Sequence, residues 1–163
     1  MNVIIPMSGQ GTRFRNAGYN ELKPLIKIHG KTIIEHIIEK FQGEIDFYFI
    51  CDEEHLSTTK LKSVLSHAKP EGKIIPIKRH KFGPVHAVMQ AIEYIKDEEP
   101  YIVNYCDFNW DWDYNNFKQK IQDSQVDGSI ICYKGFHPHL LGPNFYASVK
   151  TDKNAFVEEI KEK

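Results

Sequence analysis

From Val3 to Cys106, short apolar runs alternate with segments of helical period, and no other feature of the chain restricts its fold so much. Parallel neighbouring strands need a crossover, and a helix is the usual one. Strand, helix, strand, helix therefore reads as an α/β fold: a mixed, mostly parallel sheet flanked by helices in three layers. Val3-Ile4-Ile5-Pro6-Met7 is the first strand, and its lack of apolar–polar alternation predicts burial on both faces. Ile33, Ile34, Ile37, Ile38 and Phe41 repeat at helical spacing behind Thr32, whose hydroxyl can cap a helix with Glu35 three residues on. Phe47 to Cys51 is the next strand. Leu61, Val64, Leu65 and Ala68 mark a helix that must stop before Pro70. Lys73 to Ile77 reads as a strand and about Val85 to Ile95 as a helix, with Tyr101 to Cys106 as a further buried strand.

After Asp113 the pattern loosens. Phe117 and Ile121 suggest a short helix, while Ser129 to Tyr133, Phe145 to Lys150 and Phe156 to Ile160 read as strands, the later ones antiparallel. Gly142-Pro143-Asn144 is a turn signal inside the domain. With 163 residues and neither repeat nor linker, one domain over 1–163 is expected.

Charge and cysteine usage narrow the partners. Lys plus Arg number 21 against 22 Asp plus Glu, a net charge of -1, so no global field would gather nucleic acid or an anionic membrane. Any anion site must be local. Cys51, Cys106 and Cys132 lack the paired spacing of a zinc site and read as reduced core thiols. No basic leader precedes an apolar stretch, and no run approaches the roughly 20 apolar residues of a membrane span, so a cytoplasmic setting is expected.

The local anion site has a candidate at the end of the first strand. In Met7-Ser8-Gly9-Gln10-Gly11-Thr12-Arg13, Gly9 and Gly11 would let phosphate oxygens approach backbone amides without a Cβ in the way, and Ser8 and Thr12 add hydroxyl donors. Arg13 could pair bidentately with a phosphate and Lys23 could add a point charge. A dinucleotide fingerprint would need a glycine where Phe14 stands, and a Walker loop would need Gly-Lys-Ser or Gly-Lys-Thr; neither is present. By spacing alone, the two glycines fit a tight turn with a solvated Arg13 equally well.

Ile5-Pro6-Met7-Ser8-Gly9-Gln10-Gly11-Thr12-Arg13-Phe14, then Asn16-Ala17-Gly18-Tyr19, then Lys23-Pro24-Leu25-Ile26, resembles the signature of the sugar-phosphate nucleotidylyltransferases, the nucleoside-diphosphate-sugar pyrophosphorylases. The opening is most similar to a capsule-type subgroup beginning Pro-Met-Ala-Gly. The resemblance implies a Rossmann-like nucleotidyltransferase fold of the glycosyltransferase-A kind. It also implies a loop from Met7 to Thr12 that holds a nucleoside triphosphate, with Arg13 and Lys23 steadying the pyrophosphate and the reacting phosphorus. Gly83-Pro84-Val85-His86-Ala87 stands where the family has a turn beneath the nucleobase, so Gly83 is expected in nucleotide binding; His86 reads as a helix-surface residue. Asp107, closing Val103-Asn104-Tyr105-Cys106-Asp107, matches the family's metal-binding aspartate and would hold Mg²⁺. Asp111 and Asp113 read as a solvated loop and a helix cap before Tyr114. Tyr146-Ala147-Ser148-Val149 and the closing Glu162-Lys163 match the strand and the Glu-Lys pair that take the sugar and its phosphate in relatives.

The resemblance runs over the whole chain but over about two thirds of a typical member. A later strand with a second metal-binding aspartate and further walls of the sugar pocket are absent. The expected activity is nucleotidyl transfer from a nucleoside triphosphate to a sugar 1-phosphate, or a similar small phosphate, with release of pyrophosphate. A nucleotide-binding domain without turnover is the alternative, motivated by the missing aspartate. A glycosyltransferase is a third, motivated by the spacing of Asp111-Trp112-Asp113. The base and the acceptor stay open.

Overall fold

The computed structural model describes residues 1–95, 99–124, 126–136, 141–142 and 146–162. Met1–Phe117 and Lys118–Lys163 form two compact units.

In the first unit, β1 (Asn2–Met7) is followed by a short helix α1 (Thr12–Asn16), a 3₁₀ turn at Lys23–Leu25 and a small antiparallel hairpin, β2 (Lys27–Ile28) with β3 (Lys31–Thr32). Then come α2 (Ile33–Ile38), β4 (Phe47–Asp52), α3 (Glu53–Thr58), α4 (Leu61–Ala68), β5 (Lys73–Ile77), α5 (Pro84–Gln90), a 3₁₀ turn at Ile92–Tyr94 and β6 (Tyr101–Val103). Helix α6 (Tyr114–Ser124) runs across the division, and the second unit holds the antiparallel hairpin β7 (Ser148–Thr151) with β8 (Val157–Lys161).

The four main strands lie in the order β5-β4-β1-β6, all parallel, with Val3 beside Phe47 and Ile102. β1 and β4 are buried at every position, as continuous apolar runs require. Their side chains alternate between two cores. Val3, Ile5, Met7, Phe47, Phe49 and Cys51 pack with Ile34, Ile37, Leu61 and Leu65 from α2 and α4. Ile4, Tyr48, Ile50, Ile75 and Ile77 pack with Ala87 and Ala91 from α5 and the residue after it. The period of 2 in a strand thus serves two helical layers at once.

Helix α2 begins as its sequence demands. The Glu35 N–H donates to the Thr32 hydroxyl at 3.4 Å, and the Glu35 carboxylate accepts from the Thr32 N–H at 2.7 Å, a complete capping box.

Several expectations are corrected. The helix over Val85–Ile95 ends at Gln90, because the Ala91 N–H turns back to the Val88 carbonyl at 2.9 Å and a 3₁₀ turn follows. The strand over Tyr101–Cys106 ends at Val103: the Asn104 N–H makes a last bond to the Ile4 carbonyl at 3.0 Å, and the Asn104 side chain then donates to the Tyr105 carbonyl at 2.8 Å, a local bond that competes with the ladder. Among the described residues that strand is also an edge, with Val103 exposed. Ser129–Tyr133 forms no strand: Ile130, Ile131 and Tyr133 are exposed, and no described strand pairs with them. Cys132 is correspondingly an exposed thiol, whereas Cys51 and Cys106 are buried core thiols as expected. The strand expected over Phe145–Lys150 is described from Ser148, with Phe145, Pro143 and Asn144 outside the described residues.

Candidate active site

Because the main strands are parallel, their carboxyl ends and the loops that follow share one edge of the sheet. The chain leaves β1 toward β4 and β5, then returns to place β6 on the other side of β1. Connections therefore part in opposite directions between β1 and β6, which opens a crevice at their carboxyl ends, the favoured ligand position of such sheets.

Lys23 and Asp107 meet there as an ion pair, with side chains 27% and 33% exposed, so both remain accessible to a ligand. The Lys23 ammonium also lies 4.8 Å from the centroid of the Phe14 ring of α1. Each partner is set by its own stretch of core. Pro24 and Leu25 are buried behind Lys23. Behind Asp107, Cys106 is buried, and Trp110 and Trp112 pack edge-on against Phe41 with centroids 6.4 and 6.0 Å away. Burial pushes the Cys106 thiol up, with the neighbouring Asp107 charge adding to the effect, so it stays protonated and is no nucleophile.

The opening loop adjoins this pair. Gly11 has φ 61° and ψ 29°, the left-handed region where glycine is at ease, and its Cβ position lies 3.9 Å from the Lys23 Cβ. Its carbonyl accepts from the Phe14 and Arg15 N–H groups, at 2.9 and 3.1 Å, and so starts α1. Thr12 and Arg13 are exposed in the first turn of α1, Gly9 is exposed with open space around it, and Met7 is buried at the end of β1. Ser8 is buried, its hydroxyl 3.5 Å from Nε2 of His80.

Gly83 precedes α5 at φ 87° and ψ -179°, a conformation open essentially only to glycine. His86 meets its neighbours edge-on and tilted, its ring 4.7 Å from that of His80 and 4.9 Å from that of Phe82. Asp113 caps α6, its Oδ1 accepting from the Asn116 N–H at 3.0 Å. Asp111 lines an open polar cleft of about 420 Å³ with His36, Glu39 and Trp112. None of the nominated phosphate-loop residues lines that cleft, which has no glycine backbone and only Lys40 as a lysine, so it does not suit a polyphosphate. In the second unit, Tyr146 and Glu162 are exposed, and Lys163 lies outside the described residues.

Sequence reasoning missed a buried carboxylate at the same edge. Asp52 ends β4 at 1% exposure. Its Oδ1 accepts from the Glu54 N–H at 2.8 Å, capping α3, and its Oδ2 accepts from Arg79 Nε at 2.9 Å and Gln10 Nε2 at 3.2 Å. Burial would raise its pKa, but the Arg79 and Glu54 hydrogen bonds outweigh burial and hold it below the ordinary value. The one available signal was an aspartate closing an apolar strand, the same feature that singled out Asp107.

The sequence profile described as "MobA-like NTP transferase domain" matches residues 3–155. The chain belongs to this family. Among curated relatives, the "Bifunctional protein GlmU" of Methanococcus maripaludis (strain C7) is 35% identical to this NTP transferase domain over 100 residues, 60% of this chain and 23% of that protein. The chain thus spans under a quarter of the length of that relative. Two solved structures share the fold. The nucleoside-diphosphate-sugar pyrophosphorylase from Vibrio cholerae RC9 superposes with a TM-score of 0.69 at 18% identity, covering 98% of this chain and 66% of that one. HddC from Yersinia pseudotuberculosis, complexed with GMP-PN, gives 0.66 at 23% identity, covering 99% and 69%.

The NTP transferase domain has no group of three His, Cys, Asp or Glu side chains placed to hold a metal among its described residues, and none of its helices there is long and apolar enough to cross a membrane.

Proposed function

We propose that this chain transfers a nucleoside monophosphate from a nucleoside triphosphate to a sugar 1-phosphate or similar small phosphate, releasing pyrophosphate. One observation supports the reading above the rest: a lysine and an aspartate facing each other in the crevice between β1 and β6, beside a glycine loop. An oxygen of the acceptor phosphate attacks the α-phosphorus, a new P–O bond forms, and the bond to the bridging oxygen of the β-phosphate breaks in line. Such a step needs alignment and charge neutralisation more than covalent help. The acceptor is already anionic near neutral pH, so no general base is needed.

The amides of Ser8 to Thr12 cradle the triphosphate in this reading, with Met7 flooring the loop and Gly83 admitting the base. Arg13 neutralises the departing pyrophosphate. Lys23, which pairs with Asp107, would turn its ammonium to the α-phosphate and release the carboxylate. Asp107 would then be the residue to hold Mg²⁺, which would supply charge withdrawal from the reacting phosphate. Tyr146, Glu162 and Lys163 take the acceptor, by their match to the family motif.

The Pro-Met-Ser-Gly opening favours a role in making activated sugars for capsule polysaccharide. The near-neutral charge favours work on small molecules, without nucleic acid or membrane partners, and the cytoplasm is the setting in this reading. The 163 residues act as one nucleotidyltransferase domain in this reading. The test is pyrophosphate release across a panel of triphosphates and sugar phosphates. Turnover is expected with one pairing and is expected to be lost in both Arg13→Ala and Asp107→Ala. Full activity in either variant, or triphosphate binding without any pyrophosphate release, overturns the assignment.

A further inference from the structure

We infer that Asp52 is a positioning residue for the phosphate loop, acting through Gln10 and kept electrically quiet by Arg79; this rests on the function proposed above. The loop between β1 and α1 has only four residues, Ser8 to Gly11, and two of them are glycines. Glycines let anions approach, but they also leave the backbone many conformations to lose on binding. A loop of this kind holds one shape only if side chains tie it down. Gln10, between the glycines, supplies the tie: its Nε2 donates to Asp52 Oδ2 at 3.2 Å, at the end of the neighbouring strand β4.

The anchor is stiff. Asp52 is 1% exposed, and its other oxygen is held by the Glu54 N–H at 2.8 Å, so the carboxylate cannot follow the loop if the loop moves. A buried, unpaired carboxylate would be costly in itself and would repel a triphosphate beside it. Arg79 meets both difficulties. Its Nε donates to Asp52 at 2.9 Å, while its second nitrogen reaches Glu54 Oε2 at 2.7 Å, so the cation sits across two carboxylates. The loop therefore has a polar anchor whose buried charge is offset by Arg79, while the second carboxylate, Glu54, lies in solvent. With Gln10 drawn toward β4, Gly9 keeps open space around it.

The experiment is a double-mutant cycle on Gln10→Ala, Asp52→Asn and the double variant, read in two ways. Asparagine keeps the size of Asp52 and an oxygen able to cap α3, and Gln10 is half-buried in a loop outside both core clusters, so neither change removes core packing. First, hydrogen exchange of the amides in residues 9–13 is measured without ligand. Both single variants should speed exchange there, and the double variant should match the faster single. Second, magnesium tripolyphosphate, which has no base, is titrated by calorimetry. Each single variant should bind about tenfold more weakly, with the double variant no weaker than the worse single. In turnover the loss should fall on KM for the triphosphate and leave KM for the acceptor unchanged. Unchanged exchange in either single variant, or losses of affinity that add, overturns the inference. Faster exchange in variants of a wild type that binds no tripolyphosphate leaves a purely structural tie and overturns the proposed function together with the positioning role.

Discussion

Every described residue of Lys118–Lys163 is at least partly exposed, whereas in Met1–Phe117 the two central strands are buried from end to end. The two units are thus held by different forces. In the first, apolar side chains on both faces of the sheet fix the strands, and the loops at their carboxyl ends inherit that rigidity. In the second, the β7–β8 hairpin rests on its backbone ladder, on the Lys150–Glu158 ion pair at 2.6 Å, and on Asp152, whose Oδ1 accepts from the Asn154 and Phe156 N–H groups at 2.9 and 2.8 Å. The lesson is that the proposed nucleotide loop leaves the end of a strand buried along its whole length, while Tyr146 and Glu162 are exposed residues flanking an exposed hairpin.

The contrast breaks most readily in the core. Phe49→Ala should cost about 3–5 kcal/mol in urea denaturation, and Ile160→Ala, in the exposed β8, less than about 0.5 kcal/mol. Equal losses would mean that the second unit is packed as firmly as the first. Catalysis should divide along the same line. Lys23→Ala is expected to lower kcat by roughly 10²- to 10³-fold, and Glu162→Gln to raise KM for the acceptor about tenfold with kcat little changed.

A smaller effect comes from pH. Because the Asp52 pKa is lowered on folding, its stabilisation is fully present above the ordinary carboxylate pKa of about 4 and is lost as pH falls through the lower folded value. Denaturation midpoints below about pH 4 should therefore fall less steeply in Asp52→Asn than in the wild type. The smallest pair concerns polar contacts. Thr32→Ala, which removes the cap of α2, should cost about 1 kcal/mol, and Lys150→Ala less than about 0.5 kcal/mol, since its ion pair is exposed.

Elements that place a regular apolar face in the core were legible from residue pattern. Val3–Met7, Phe47–Cys51 and Lys73–Ile77 are strands, and Leu61–Ala68 is a helix, as their periodicity required. The pattern misled where burial was incomplete. Ile130 and Ile131 look like strand residues but are exposed, and Val103 ends an edge strand early. Short helices α1 and α3 escaped notice because five or six residues carry too little periodicity to register. Within the candidate site, Gly11, Lys23 and Asp107 could be picked out by motif, but Asp52, Gln10 and Arg79 could not. Their meaning lies in hydrogen bonds among three loops distant in sequence.

The residue order by itself determined the alternation of buried strands and crossover helices, and hence an α/β sheet with its loops on one edge, because strand and helix periods are local properties. It also carried the glycine loop and the two cations of the family signature. Only the tertiary structure decided that β6 lies on the far side of β1, that Lys23 therefore meets Asp107 across a crevice, and that Asp52 holds the tip of the loop. Those outcomes depend on the order in which strands join the sheet, and strand order is set by packing between distant segments, which no local period encodes.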